Sequence, residues 1–173
     1  MRDVVVVFGL SGCGKSFLSG ILHEEFGYRW IRSDVVRKEL AGLSLSESAK
    51  APFGEGIYGE EMTRKVYEEM VRRAKDFVDR GEKVVLDATF LRKWQRDMVR
   101  SAFPKALFIL ATASDEEVKK RLSARVDVSD ADYTIYLQQK RIFEPPAKED
   151  TAEVNTEKSK KELLSFLKDL LKD

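Results

Sequence analysis

A glycine-rich segment near the start of the chain carries the clearest chemical signal in the sequence. Residues 9–16 read Gly-Leu-Ser-Gly-Cys-Gly-Lys-Ser and fit the G-x-x-x-x-G-K-[ST] pattern of a phosphate-binding loop. Glycines let such a loop curl until successive backbone N–H groups point at phosphate oxygens, and the positive end of the following helix lies beneath that anion. We expect Lys15 to contact the β- and γ-phosphates of ATP and the Ser16 hydroxyl to bind Mg²⁺. The residues predicted to bind the nucleotide are Gly9, Leu10, Ser11, Gly12, Cys13, Gly14, Lys15 and Ser16.

A carboxylate at the end of a later apolar run supplies the second part of a magnesium site. Asp87 closes the segment 83–87, at the place of a Walker-B aspartate that holds the hydration shell of Mg²⁺. The alternative is a capping aspartate at a strand end. Ala88 follows where hydrolysing ATPases usually carry a water-activating Glu, and the chain has no Asn-Lys-x-Asp motif for reading guanine. The pattern therefore favours transfer of the γ-phosphoryl group to another molecule.

Such a transfer needs a residue that prepares the acceptor, and Asp34 is the best candidate. It follows the second predicted strand, on the carboxyl edge of the sheet where ligands bind in this architecture. A carboxylate there can orient an acceptor hydroxyl and take its proton. Arg37 lies three residues later on the same helical face and is predicted to pair with an anionic group of the acceptor. The alternative is a helix N-cap followed by a surface arginine.

Positive charge around the transferred group is predicted to come from Arg121 and Arg125. The two lie four residues apart, so they share one face of a helix after the fourth predicted strand. Several lysines crowd the same region, and a solvated helix face is the alternative interpretation. Cys13, inside the phosphate-binding loop, is expected to have a lowered thiol pKa, so that its oxidation inhibits ATP binding.

Strands and helices alternate along the chain and must position these residues. This order predicts an α/β fold with a parallel sheet and helices on both of its faces. A loop rich in Gly and Pro separates the second and third helices, over about 43–59. Strands are expected at about 3–8, 28–32, 83–87 and 106–111, with a poorer candidate at 152–155. Helices are expected at about 15–26, 34–40, 60–80, 91–102, 115–126 and 131–143, and at the C-terminus.

Composition limits the classes of partner. The 173 residues predict a single domain over 1–173, and 43% hydrophobic with 35% charged residues describes a globular protein. Lys and Arg number 31 against 30 Asp and Glu, so no overall basic field attracts nucleic acid or membranes. The single cysteine excludes a disulfide within the chain, and no apolar stretch is long enough to span a membrane. The expected location is the cytoplasm, as a monomer or homodimer.

An ordered series of motifs along the chain resembles that of a known family of ATP-binding domains. The chain is similar to the P-loop kinase-like ATP-binding domain often found fused behind aminoglycoside-phosphotransferase-like domains. More distantly it resembles gluconate kinases, adenylylsulfate kinases, zeta toxins and polynucleotide 5′-kinases. The segments that carry the resemblance are 9–16, 32–43, 53–58 and 87–91, followed by Arg121, Arg125, 128–131 and Gln138.

The resemblance implies a P-loop NTPase fold, whose five-stranded sheet has the order 2-3-1-4-5, and an arginine-bearing lid. It also implies that Asp34 is the acceptor-side aspartate and Arg37 a substrate-side arginine. The series Asp87-x-Thr89 with Arg96 is similar to the D-x-T-N…R pattern of polynucleotide kinases, which makes Thr89 and Arg96 acceptor-site candidates.

These residues together predict an ATP- and Mg²⁺-dependent phosphotransferase acting on a hydroxyl of a small molecule. Within an acceptor-side region of about 34–60, the loop 43–59 is expected to close over the acceptor, and a lid of about 115–143 is expected to close over ATP. One alternative is a polynucleotide 5′-hydroxyl kinase, against which the balanced charge and Phe90 in place of the Asn argue. Another is an ATP-sensing module that binds without transfer. The predicted catalytic residues are Lys15, Asp34, Arg121 and Arg125; the acceptor-binding residues are Asp34, Arg37, Tyr58, Thr89 and Arg96; and the metal ligands are Ser16 and Asp87.

Overall fold

A computed structural model describes residues 1–42, 59–124 and 130–172 of the chain. The predicted residues Tyr58 and Arg125 lie outside these ranges, as do parts of the acceptor-side segment and of the lid. The described strands are β1 (Val4–Phe8), β2 (Arg29–Arg32), β3 (Val84–Asp87), β4 (Leu107–Thr112) and β5 (Ala152–Asn155). The described α-helices are α1 (Lys15–Phe26), α2 (Ser33–Leu40), α3 (Glu60–Asp79), α4 (Lys93–Ala102), α5 (Asp115–Ser123), α6 (Asp130–Ile142) and α7 (Lys160–Leu170).

The five strands form one parallel sheet in the order β2-β3-β1-β4-β5, which confirms the predicted fold class. Its central strand, β1, is a run of four valines and a phenylalanine that is buried along its whole length, as expected of a strand covered on both faces. The register pairs Val7 with Asp87, and Asp87 in turn with Arg32. All strands therefore end at the same edge, where the predicted site residues follow them.

Helices cover both faces of the sheet and bury two apolar layers. Alternate residues of β1 face the two layers, as the two-residue period of a strand requires. No helix in the described ranges is long and apolar enough to cross a membrane. The layer under α1 and α7 includes Val5, Val7, Leu18, Leu22, Leu163 and Leu167. The layer under α3 and α4 includes Val4, Val6, Phe8, Val66, Met70 and Val99.

Two local predictions change in the structure. Asp34 is not an N-cap, because α2 already begins at Ser33 after the extended Arg32, and Asp34 lies in the first turn. Its negative charge there stabilises the helix dipole. The poor strand candidate at 152–155 is a true edge strand, in which Val154 is buried between exposed neighbours.

Gly9 shows why the loop after β1 requires glycine at its first position. Its φ of 142° lies in a region that side-chain-bearing residues rarely adopt. A Cβ atom there would lie 2.7 Å from the backbone carbonyl oxygen of Ala111 in β4. Because this oxygen is part of the backbone of the sheet, moving it away would cost free energy.

We predict that Gly9→Ala lowers the melting temperature by more than Gly81→Ala. Gly81 also has a positive φ, of 81°, but nothing lies within 4 Å of its Cβ position, so the substitution there adds backbone strain of about 1 kcal/mol and no clash. For a domain of this size each kcal/mol shifts the melting temperature by about 2–4 °C. Thermal unfolding by circular dichroism measures the difference; equal shifts for the two variants would contradict the packing of Gly9 against β4.

Candidate active site

The phosphate-binding loop leaves β1 and turns directly into α1 at the carboxyl edge of the sheet. Gly14, with a φ of 93°, makes the last turn before Lys15 begins the helix. The first N–H groups of any α-helix have no partner within the helix, and they carry the positive end of its dipole. β4, β5 and their following segments flank this loop on one side, which we call the donor side. β3, β2 and their following helices flank it on the other, the acceptor side.

Side chains within and around the loop already contact its backbone. The Nζ of Lys15 donates to the carbonyl oxygen of Leu10 at 3.1 Å, and Ser16 is exposed in the first turn of α1. The N–H of Ser11 donates to Oε1 of Gln139, a buried residue of α6, at 2.9 Å. Gln139 is not among the predicted site residues, because nothing in its local pattern separates it from its neighbours on that helix.

Arg121 lies on the donor side but faces the carbonyl groups of the loop. Its Nη1 donates to the carbonyl oxygen of Gly12 at 3.2 Å and to Oγ1 of Thr156 at 2.9 Å, and its Nη2 donates to the carbonyl oxygen of Thr156 at 3.1 Å. Glu117, one helical turn earlier, accepts from its Nε at 3.1 Å. The sequence prediction placed this guanidinium on the γ-phosphoryl group; in the structure its donors hold protein oxygens instead.

Asp87 ends β3 next to the loop and is buried. The indole Nε1 of Trp30 donates to its Oδ2 at 3.0 Å. Burial raises the pKa of the Asp87 carboxyl, and the nearby Lys15 ammonium together with the Trp30 hydrogen bond opposes that shift. One buried carboxylate and the exposed Ser16 hydroxyl offer oxygen ligands of the kind that Mg²⁺ takes together with phosphate oxygens and water. The donor set therefore fits the predicted metal.

Asp34 and Arg37 both lie on the acceptor side, one turn apart in α2. The Asp34 side chain is exposed at the carboxyl edge, where α2 follows β2. Arg37 is buried instead, and its Nη1 donates to Oγ1 of Thr63 on α3 at 3.1 Å. The Asp34 carboxylate is thus accessible to a ligand, whereas the Arg37 guanidinium is buried in the contact between α2 and α3.

Tyr67 is an acceptor-side residue that the sequence analysis missed. Its hydroxyl is buried, accepts from the N–H of Phe90 at 3.0 Å and shares a hydrogen bond with the side chain of Thr89. Burial raises the pKa of this phenol, the Asp34 carboxylate acts in the same direction, and the Arg37 guanidinium opposes both. The phenol therefore lies among the predicted acceptor-site residues. Its only sequence signal is a position on the apolar face of α3.

Arg96 does not reach the accessible surface of the site. It is 2% exposed, and it donates from Nη1 to the carbonyl oxygen of Phe90 at 2.6 Å and from Nη2 to that of Glu144 at 2.5 Å. Its guanidinium also lies 5.4 Å from the centroid of the Phe8 ring. Arg96 was predicted to bind the acceptor, but in the structure it lies behind the turn that contains Thr89. Inside the fold its guanidinium binds two carbonyl oxygens and its aliphatic stem is buried.

Cys13 has the opposite pKa shift from the one expected. Burial raises the pKa of its thiol, and the positive charges of Lys15 and Arg121 only partly oppose this. The side chain is part of the apolar layer under α1. The prediction of a reactive, acidic thiol is therefore wrong.

Comparisons with known proteins identify the family and the fold of the chain. Residues 4–146 match the family model AAA_33, described as an AAA domain. A protein of Mycobacterium tuberculosis strain H37Rv, described as uncharacterized, is 30% identical over 125 residues, which make up 72% of this chain and 24% of that protein. The chain thus spans about a quarter of the length of the curated relatives that it matches.

Solved structures with the same fold are similar over nearly the whole chain. An unliganded sugar kinase from Janibacter sp. HTCC2649 has a TM-score of 0.76 at 17% identity and covers 99% of this chain and 95% of its own. A gluconokinase from Sinorhizobium meliloti 1021 has 0.68 at 21%, with 95% and 90% covered. The Mycobacterium tuberculosis APS kinase CysC in complex with AMPPNP and APS has 0.68 at 17%, with 99% and 98% covered. The fold is that of P-loop kinases.

We predict that the Cys13 thiol of the folded protein reacts slowly with iodoacetamide at neutral pH. Because its pKa is raised, the labelling rate should still increase above about pH 8.5, where that of a free cysteine begins to level off. Mass spectrometry of timed samples measures the rate, and protein in denaturant is the control that labels fast. A rate that levels off below pH 8 in the folded protein would contradict the burial of this thiol.

Proposed function

We propose that this chain, which belongs to the AAA_33 family of AAA domains, transfers the γ-phosphoryl group of ATP to a hydroxyl of a small molecule with the help of Mg²⁺. The observation that carries the proposal is the meeting of three features at one edge of a parallel sheet. These are the phosphate-binding loop 9–16, the buried carboxylate of Asp87 and the exposed carboxylate of Asp34. Ligands bind at that edge in such sheets.

The donor side is proposed to hold the triphosphate by backbone and charge. N–H groups at the start of α1 bind phosphate oxygens, and Lys15 exchanges the Leu10 carbonyl for the β- and γ-phosphates. Ser16 and, through water, Asp87 would hold Mg²⁺. When bound, the metal supplies positive charge that stabilises the transferred group. Arg125, the second predicted lid arginine, stays a prediction because it lies outside the described residues.

The acceptor side is proposed to activate the incoming hydroxyl. Asp34 accepts the hydroxyl proton while the acceptor oxygen bonds to the γ-phosphorus. The bond between the γ-phosphorus and the β–γ bridging oxygen breaks, and ADP leaves with that electron pair. The proton therefore ends on Asp34 and the phosphoryl group on the acceptor.

Other residues of this side are proposed to bind or support the acceptor. The Thr89 side chain hydrogen-bonds to the Tyr67 hydroxyl, and the charges of Arg37 and Asp34 both act on that hydroxyl, so an acceptor is proposed to bind in this region. Tyr58 stays a prediction outside the described residues. Arg96 is buried and is proposed to support the Phe90 turn from inside the fold, without touching the acceptor.

The proteins that share this fold favour a small acceptor. They are described as a sugar kinase, a gluconokinase and an APS kinase bound to AMPPNP and APS, names that denote phosphoryl transfer to small molecules. The net charge of +1 provides no general attraction for a polynucleotide.

The experiment that tests the proposal is a product search with γ-labelled ATP. The purified chain is incubated with Mg²⁺, labelled ATP and a fractionated metabolite extract, and mass spectrometry identifies any compound that gains a phosphate. We expect a labelled small molecule that requires Lys15, so the Lys15→Ala variant is the control. Label only on a 5′-hydroxyl oligonucleotide would indicate a polynucleotide kinase, and tight ATP binding without any product would indicate a sensing module.

We predict that Asp34→Asn leaves ATP binding within about twofold but lowers turnover by about 10²- to 10⁴-fold, the usual contribution of a general base. The amide keeps the size of the side chain but cannot take the acceptor proton. Calorimetry with MgAMPPNP measures binding, and the labelled product measures turnover.

The matched control is Asp79→Asn, an exposed aspartate at the end of α3, where the chain approaches the opposite edge of the sheet. It should leave both quantities unchanged. If Asp34→Asn turns over as fast as the wild type, Asp34 does not act as the base.

A further inference from the structure

We propose that Thr156, a residue outside every motif of the sequence, positions the backbone of the phosphate-binding loop for the triphosphate. This inference rests on the proposed binding of ATP. Thr156 directly follows β5 on the donor side and is 2% exposed. It acts through the loop backbone, so it is a positioning residue.

The direction of the Thr156 hydroxyl bond follows from its neighbours. Arg121 can only donate, and its Nη1 donates to Oγ1 of Thr156 at 2.9 Å. The hydroxyl proton of Thr156 is therefore available for an acceptor. Two carbonyl oxygens lie within reach, that of Cys13 at 2.7 Å and that of Thr112 at 3.2 Å, and the shorter contact is the one to the loop.

Holding this carbonyl oxygen orients the next amide of the loop. In a planar trans peptide the C=O and N–H bonds point in opposite directions. The carbonyl of Cys13 points at Thr156 on the outside of the loop, so the N–H of Gly14 points away from Thr156. It therefore points to the inner side of the loop, where the first amides of α1 would bind an anion.

The close packing of Gly14 against Thr156 gives a second observation. A Cβ atom at Gly14 would lie 2.6 Å from Oγ1 of Thr156 and 2.7 Å from its Cβ. The loop thus packs directly against this threonine, and the glycine of the motif is the residue that permits it. At this distance the Thr156 hydroxyl can donate a hydrogen bond to the carbonyl oxygen of Cys13.

Arg121 completes the arrangement from the other side. It holds both the hydroxyl and the carbonyl oxygen of Thr156, and it also donates to the carbonyl oxygen of Gly12. Two successive peptide groups of the loop are thereby held by their oxygens. This accounts for the place of Arg121, whose donors bind oxygens of the loop and of Thr156.

The test is the affinity of Thr156 variants for two phosphate ligands, MgAMPPNP and magnesium tripolyphosphate, measured by calorimetry. Thr156→Val keeps the shape of the side chain and removes the hydroxyl, and Thr156→Ala removes it without any added bulk. We expect both variants to bind each ligand about tenfold more weakly, the usual effect of one lost hydrogen bond that aligns a binding group. Thr156→Ser, which keeps the hydroxyl, should bind both ligands within about twofold of the wild type.

A matched control is Thr112→Val, at the same edge of the sheet. It removes a long hydrogen bond of 3.4 Å from Oγ1 of Thr112 to the carbonyl oxygen of Val154, and among the described residues this side chain makes no hydrogen bond to the loop. It should leave both affinities unchanged.

Wild-type affinity in Thr156→Val or Thr156→Ala would overturn the proposal, as would equal weakening in Thr156→Ser. If the wild type binds neither ligand, the proposed function and this inference fail together; if it binds and the variants match it, only the inference fails.

Discussion

The tight packing of the phosphate-binding loop against the ends of β4 and β5 is the constraint on which the rest of the site depends. A carbonyl oxygen of Ala111 lies 2.7 Å from the Cβ position of Gly9, and Thr156 lies 2.6 Å from that of Gly14. The loop is thus fixed at both ends by neighbouring strands. Because β1 also pairs with β3, Val7 lies opposite Asp87. This register places Asp87, the proposed metal ligand, next to the loop that follows β1.

The acceptor side is held by a strained turn. Phe90 has a φ of 43°, the one positive value at a non-glycine residue in the described part of the chain. Such a conformation persists only where the surroundings hold it. Here Tyr67 binds the N–H of Phe90 and Arg96 binds its carbonyl oxygen, so both sides of the residue are fixed. These two supports also hold the turn next to Thr89, whose side chain shares a hydrogen bond with the Tyr67 hydroxyl.

The fold could be predicted from the sequence because it depends on local patterns. The run of valines, the glycine-rich loop and the alternation of strands and helices each act over a few residues, and together they predict the sheet and its carboxyl edge. The strand β5 was only a poor candidate, since an edge strand with one buried residue has little pattern to show. Its place beside β4 comes from packing.

The roles of individual side chains were harder to predict, because they depend on partners far away in sequence. Arg121 meets Thr156 after 35 residues, and Arg96 meets Glu144 after 48. A spacing pattern shows which edge of the sheet an arginine approaches, but not whether a backbone carbonyl already binds it. Tyr67 was missed for the same reason, since its position among apolar residues of α3 conceals the polar group at its tip.

The central claim is that one edge of the sheet brings a triphosphate and the Asp34 carboxylate face to face. A crystal structure with MgAMPPNP tests this most directly. The account predicts phosphates on the amides that begin α1, Mg²⁺ between Ser16 and Asp87, and the terminal phosphate facing Asp34 across a space for one hydroxyl. A terminal phosphate that points away from Asp34, or a nucleotide bound elsewhere, would contradict it.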